Sequence, residues 1–197
     1  MRAPIRQIVL LAVALASTAM GSSAKPEAFK VIPGPGMPSL ESIGLTSADL
    51  FNKTFVDELL APPPFLLRTQ SSSSEKPAGR LLRRWTSRCD EAPPFGINEG
   101  INACAAYLSA LRTTDCLAGN KPVTMCTSLA RGFETHVRGI SIRPGSATSY
   151  CRDAALGVSW VPKNCKPGCE GDYCYSAGSA AANGNGDLIM LVEGNHK

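Results

Sequence analysis

The chain has 197 residues, 44% of them hydrophobic and 18% charged, with eight cysteines and a formal net charge of +4. That charge sits in one half: residues 1–84 carry ten Lys/Arg against six Asp/Glu, whereas residues 85–197 carry ten of each. The second half therefore lacks the basic footprint on which nucleic-acid or anionic-membrane binding rests.

In chain order, Arg2 and Arg6 precede an apolar run over residues 8–16, and small residues follow through Ala24. This is the order of a secretory signal peptide, expected over residues 1–24 with cleavage after Ala24 or, alternatively, after Ala19. The run is shorter than the roughly 20 residues a membrane span requires, and no later stretch is apolar for long enough. Export to an oxidising, extracellular space without a stable membrane anchor is the expectation.

Residues 25–84 hold many prolines, four consecutive serines at 71–74 and no cysteine. Such composition buries too little apolar surface to offset chain entropy, so a largely irregular pro-segment or linker is expected. One island interrupts it. Thr46 and Asp49 have capping-box spacing, and Ala48, Phe51, Phe55 and Leu59 follow at helical spacing until Pro62. Two readings stand: a short helix packed on the domain or fraying in solution, and a pro-segment that covers an apolar surface during folding. Arg83-Arg84, directly ahead of the cysteines, fits a kexin-type processing protease, which would start the mature protein at Trp85. Asn52-Lys53-Thr54 is a glycosylation sequon that would be lost with the pro-segment.

All eight cysteines, Cys89, Cys104, Cys116, Cys126, Cys151, Cys165, Cys169 and Cys174, fall within the remaining domain, residues 85–197. Behind a signal peptide, an even, clustered set reads as four disulfides, each worth about 2 to 4 kcal/mol. Eight cysteines allow about a hundred connectivities, so the pairing stays open. Residues 91–96 suit an edge strand or extended lead-in. Ile97, Ile101, Cys104, Ala105, Leu108 and Leu111 recur on one helical face. Residues 121–129 alternate as a strand, with Val123, Met125, Thr127 and Leu129 on one face. Residues 133–142 form another, whose apolar parity switches, so a bulge is expected near Arg138-Gly139.

Ser149 can cap a second helix with Cys151, Ala154, Ala155, Val158 and Val161 inward, which Pro162 should end or kink. The cysteines 169 and 174 lie in a loop. After the turn Asn183-Gly184-Asn185-Gly186, the five apolar residues 188–192 suggest a strand covered on both faces and central in its sheet. The fold class expected is α+β: an antiparallel sheet with two helices packed on one face in β-α-β-β-α-β order, stabilised by disulfides.

No residue pattern marks a catalytic site, so a non-enzymatic protein without cofactor or metal is expected. His136 shares a strand face with Glu134 and Arg138, a polar row better read as surface; His196 lies beside an end expected to fray. Glu134 with Asp153 is one of many conceivable carboxylate pairs. Cys165, Cys169 and Cys174 suit zinc only in a reducing compartment. Residues 184–188 resemble one unit of a calcium-binding roll, which works by stacking copies; a lone copy reads as a turn. Trp85, Trp160, Tyr173 and Tyr175 offer contact area to a partner or sugar, with ordinary packing an equal reading for Trp160.

Three stretches carry a family resemblance. These are Pro33-Gly-x-Gly-x-Pro-Ser-Leu-Glu-Ser-x-Gly-Leu-Thr46, the helix with Cys151, Asp153, Ala155, Val158, Trp160 and Val161 ending at Asn164-Cys165, and Ala182-Asn-Gly-Asn-Gly-Asp-Leu-Ile189. Together they resemble small secreted cysteine-rich fungal proteins of the killer-toxin-like α/β-sandwich group, which includes effectors of plant pathogens and toxins against competing fungi. The resemblance carries no catalytic residues. Pro162 departs from it by breaking a helix that such proteins continue to the cysteine, and Cys169 with Cys174 looks like an extra bridge in an insertion.

The resemblance implies an effector-like virulence protein acting by binding, as a monomer, to an extracellular host or competitor protein or glycan. An antimicrobial toxin acting on membranes or channels, and a small secreted hydrolase, are the alternatives.

Overall fold

The computed structural model describes residues 29–61, 85–90, 94–165, 168–183 and 185–196. The expected signal peptide and the Arg83-Arg84 site lie outside them. The fold is a mixed α/β arrangement of antiparallel sheets, helices and four disulfides.

Its main sheet has six strands: β1 (Lys30–Pro33), β2 (Arg88–Cys89), β5 (Val123–Ala130), β6 (Phe133–Ser141), β10 (Gly178–Ala182) and β11 (Asn185–His196), in the order β1-β5-β6-β11-β10-β2. Every pair is antiparallel. Residues 188–192 belong to β11, which has neighbours on both sides, and Leu188, Ile189, Met190 and Val192 are buried. β11 continues to His196, whose backbone pairs with Phe133, so this end does not fray as expected.

A second sheet joins β3 (Gly96–Ile97), β8 (Gly168–Glu170) and β9 (Tyr173–Ser176) in the order β3-β9-β8, and β4 (Asp115–Gly119) pairs with β7 (Ser146–Tyr150) as a ribbon. β3 takes up the end of the edge strand or lead-in expected over residues 91–96, whereas β4 and β7 are additional to the expected strands. Cys169 and Cys174, expected in a loop, stand opposite each other in the β8–β9 hairpin.

Two long helices, α3 (Asn98–Ala110) and α4 (Cys151–Asn164), pack on each other and on the main sheet. Their approach is close because glycines meet the strands. A Cβ on Gly100 would run into the Ser128 hydroxyl and lie 3.0 Å from Thr135 Oγ1, and one on Gly157 would lie 2.8 Å from the Ala181 carbonyl oxygen.

Four local expectations are corrected. The bulge lies on β5 between Thr124 and Cys126, not at Arg138-Gly139. It turns Met125 inward beside Cys126, and the Met125 thioether fills the space that a side chain at Gly139 would need. β6 thus stays regular, its inward row being Thr135, Val137, Gly139 and Ser141, while Ile140 stands opposite Ile189 on the other face. Ser149 does not cap α4; it lies in β7 opposite Cys116, and α4 starts after Tyr150 with no side-chain cap. Pro162 does not end α4, which runs on to Asn164, with Cys165 as C-cap donating to the Val161 carbonyl at 2.9 Å. Asn185 begins β11 instead of sitting in a turn.

The largest departure concerns residues 29–61, expected to be mostly irregular. β1 adds itself to the edge of β5, followed by a short 3-10 turn (Glu41–Ile43), α1 (Ser47–Leu50) and α2 (Lys53–Leu60). The capping box of Thr46 and Asp49 is present, with Thr46 N–H donating to Asp49 Oδ2 at 2.8 Å and Asp49 N–H donating to Thr46 Oγ1 at 3.3 Å. The helix then breaks at Phe51-Asn52 and restarts, Asn52 Oδ1 accepting from the N–H groups of Thr54 and Phe55. Leu50 and Val56 point into the core, and Phe51, Phe55 and Leu59 are half-buried against it.

This segment explains why α3 is buried all round. Residues 103–108 are each fully buried, more than one complete turn. Cys104 points inward as its spacing implied and is bridged to Cys126 of β5, whereas Tyr107 reaches the N-terminal segment, its hydroxyl donating to the Pro38 carbonyl at 2.6 Å. Ser109 Oγ donates to the Leu59 carbonyl at 2.8 Å.

Candidate functional site

The disulfides decide which surfaces are rigid. Cys89 pairs with Cys165, Cys104 with Cys126, Cys116 with Cys151, and Cys169 with Cys174. The first ties edge strand β2 to the end of α4, the second pins α3 to β5, the third fastens β4 to the start of α4, and the last crosses the β8–β9 hairpin. The three sulfurs of Cys165, Cys169 and Cys174 are taken up in disulfides rather than gathered as thiolates for zinc, Cys165 with Cys89 and Cys169 with Cys174. Among the described residues no group of three or more His, Cys, Asp or Glu is placed to hold a metal ion.

Around the third disulfide lies a polar cleft of about 310 Å³ lined by Asp115, Thr148, Ser149, Tyr150, Asp153, Asn183 and Asn185. The segments that line it are tied by backbone bonds: Cys151 N–H donates to the Thr114 carbonyl at 2.8 Å, and Asn183 N–H to the Asp153 carbonyl at 2.9 Å. Asn185 is fixed too, its amide nitrogen donating to the Thr148 carbonyl and its oxygen accepting from Asp187 N–H. Tyr150 is 46% exposed, and the Arg152 guanidinium lies over its ring, 5.5 Å from the centre. An exposed aromatic ring beside carboxylates, hydroxyls and amides is the chemistry that packs on and hydrogen-bonds a polyhydroxylated or peptide ligand.

The polar row on β6 is real, but it is closed on itself. Arg138 pairs with Glu193 at 2.6 Å across to β11, His136 Nε2 lies 3.8 Å from Glu134, and Thr127 Oγ1 meets His136 Nδ1 at 3.2 Å. Asp153 lies with Asp115 in the cleft rather than with Glu134.

Of the aromatic residues singled out, Trp160 packs against the core. Trp85 stacks with Arg88, 4.7 Å from ring centre to guanidinium. Tyr173 and Tyr175 on β9 enter a second cluster at the β5–β6 hairpin. There Arg131 stacks 4.4 Å over Tyr173 and 5.4 Å over Phe29, donates to the Tyr173 hydroxyl at 2.8 Å, and pairs with Glu99 at 3.1 Å. The Glu99 hydrogen bond raises the Arg131 pKa further. Tyr175 stacks on Phe133 at 4.9 Å. The hairpin holds Arg131 and Gly132 at positive φ, 53° and 79°, as a two-residue primed turn demands.

Asn52 of the sequon is exposed and uses its side-chain oxygen as the α2 cap. Sequence reasoning missed Asp115, Tyr150 and the amides as a group, because they come from a ribbon, a helix start and a strand connection far apart in the chain. No family model, curated protein or solved structure matches the chain.

Proposed function

We propose that this is a secreted, effector-like fungal protein that acts without catalysis, by binding an extracellular host or competitor protein or glycan. We read the frame as a β-α-β-β-α-β unit, β2-α3-β5-β6-α4-β11, elaborated by the remaining strands and with both helices on one sheet face; the approach of α3 to Ser128 and Thr135 and of α4 to Met190, together with the register pairs Thr135–Gly194 and Gly139–Met190, supports this reading. The observation that carries the binding reading is the cleft in which the exposed Tyr150 ring stands beside Asp115, Asp153 and Asn183, with Asp115 and Tyr150 each next in sequence to a cysteine of the Cys116–Cys151 bridge. Lining residues held by a disulfide lose little entropy on binding, which favours recognition.

The test is expression of the full chain in leaf tissue with and without residues 1–24, scoring cell death and suppression of elicited immune responses. The expected result is an effect of the exported form alone, lost in Tyr150→Ala. Activity only without the leader overturns the reading.

The co-location of Asp115 and Asp153 favours a secreted hydrolase as second reading. Glycan turnover abolished by Asp153→Asn supports that; turnover unchanged by it removes the cleft as its site.

A further inference from the structure

Residues 29–61 contain no cysteine, and every cysteine is bridged within residues 89–174. Their covalent link to the domain is therefore residues 62–84 alone, the stretch in which Arg83-Arg84 offers a cut. Everything else that holds them is packing and hydrogen bonds. We propose that residues 29–61 are a displaceable plug, and that the surface beneath them, the outer edge of β5 with the outer side of α3, docks an extended strand of a partner protein once the chain is cut.

The edge supplies the first half of this site. β5 pairs with β6 on one side and with β1 on the other, in register from Lys30↔Leu129 to Pro33↔Cys126. Gly34 N–H prolongs the ladder by donating to the Met125 carbonyl at 2.9 Å. Without β1, this row of backbone donors and acceptors is open on a strand that Cys104–Cys126 locks to α3. An open, rigid edge takes up extended chain by main-chain pairing.

The apolar bed beside it supplies the second half. Val31, Leu50 and Val56 of the plug are buried in one cluster with Ala103, Ala106 and Tyr107 of α3, and the Val31 N–H is taken by Ser47 Oγ at 3.0 Å, tying strand to helix within the plug. Tyr107 loses its only described acceptor, the Pro38 carbonyl, when the plug leaves. A ligand must bring both a strand and a carbonyl for Tyr107.

Selectivity comes from Gly34. A Cβ there would overlap the Thr124 carbonyl oxygen and lie 2.9 Å from Met125 Cα, both backbone atoms that cannot swing aside. The occupant is accordingly an extended segment with a small β-branched residue facing inward and glycine three positions later, followed by an apolar helical turn.

The test uses the full chain, cut after Arg84 with a kexin-type protease, and a fluorescently labelled synthetic peptide of residues 29–61 as probe. A chain that resists this protease is cut at a site introduced within Ser71–Ser74, since any break in the link suffices. The expected result is that the labelled peptide exchanges into cut protein but not into uncut protein, with slowed tumbling read by anisotropy. The same peptide carrying Gly34→Ala binds at least tenfold more weakly. Hydrogen exchange then shows β5 amides opening on release while β6 and β11 remain protected. The proposal is overturned if the peptide does not exchange, if Gly34→Ala competes equally, or if release unprotects β6 and β11 together with β5. Cut protein that elutes as a dimer assigns the edge to a second copy and overturns the partner-strand assignment.

Discussion

The Tyr107 hydroxyl donates to the Pro38 carbonyl across 69 positions of sequence, at 2.6 Å, and so joins the centre of the cysteine domain to the segment ahead of it. Burial pushes the Tyr107 pKa from 10.0 up to about 12. The neutral phenol is thus the form the fold favours. Its contribution is complete below pH 10 and is lost as pH rises through the folded value, because ionisation removes the donor. Desolvation also raises Tyr175, which acts in the same direction. Hydrogen exchange of residues 29–61 between pH 9 and about 12 is expected to show their release. Tyr107→Phe should lower stability at neutral pH by about 1 kcal/mol and remove most of the alkaline step.

At the acid side the sign reverses. The Thr46 hydroxyl, with its backbone N–H, holds the Asp49 carboxyl below its ordinary 3.8. The capping box is complete above pH 3.8 and weakens as pH falls through the lower folded value. An acid titration followed by amide shifts of α1 should show fraying there before the domain melts, and Asp49→Asn should show it already at neutral pH.

Gly157→Ala sets two effects against each other. Alanine favours a helix over glycine by about 1 kcal/mol, yet its methyl would lie 2.8 Å from the Ala181 carbonyl oxygen and 3.2 Å from Met190 Cγ. The carbonyl belongs to a paired strand and cannot yield, and overpacking costs about 1 to 3 kcal/mol. Net destabilisation of about 1 kcal/mol is expected in denaturant unfolding, where a surface glycine would give a gain.

Asn52 separates capping from glycosylation. Asn52→Asp keeps the side-chain oxygen that caps α2 while destroying the sequon, so the segment should stay docked and any glycan mass be lost. Asn52→Ala removes both and should cost about 1 kcal/mol. Mass spectrometry with hydrogen exchange distinguishes the two variants.

The disulfides should rank by loop length and burial. Cys169–Cys174 closes a separation of five residues at the surface, whereas Cys89–Cys165 closes 76. Chain entropy alone makes the short bridge worth about 2 kcal/mol and the long one about 4.5 kcal/mol. Replacing both cysteines of each pair by serine, with unfolding followed in urea, should show that order.

Much of the architecture was legible wherever a local pattern had one physical cause. The stripe from Ile101 to Leu111 gave α3, the run 188–192 marked a strand with neighbours on both sides, and Thr46 with Asp49 formed the cap that their spacing implied. Failures occurred where a residue served a contact from elsewhere. Met125 broke the alternation of β5 because Gly139, on the next strand, leaves it room. Ser149 joined a strand opposite Cys116, since a disulfide at the first residue of α4, Cys151, holds that ribbon in place. Pro162 stayed inside α4, its ring tolerated in the last turn, while the Cys165 N–H beyond it still reaches Val161.

What the chain determined by itself is its local chemistry: an apolar leader pattern, eight thiols in one half, a neutral domain behind a basic segment, and helix and strand periodicities. These follow from residue type and spacing, and need no partner. The tertiary structure alone decided the four pairings, the meeting of Asp115, Tyr150, Asp153 and Asn183 in one cleft, and the docking of residues 29–61 on β5 and α3. Each depends on distances between residues remote in sequence, and those are set by packing and strand register, which local spacing does not encode.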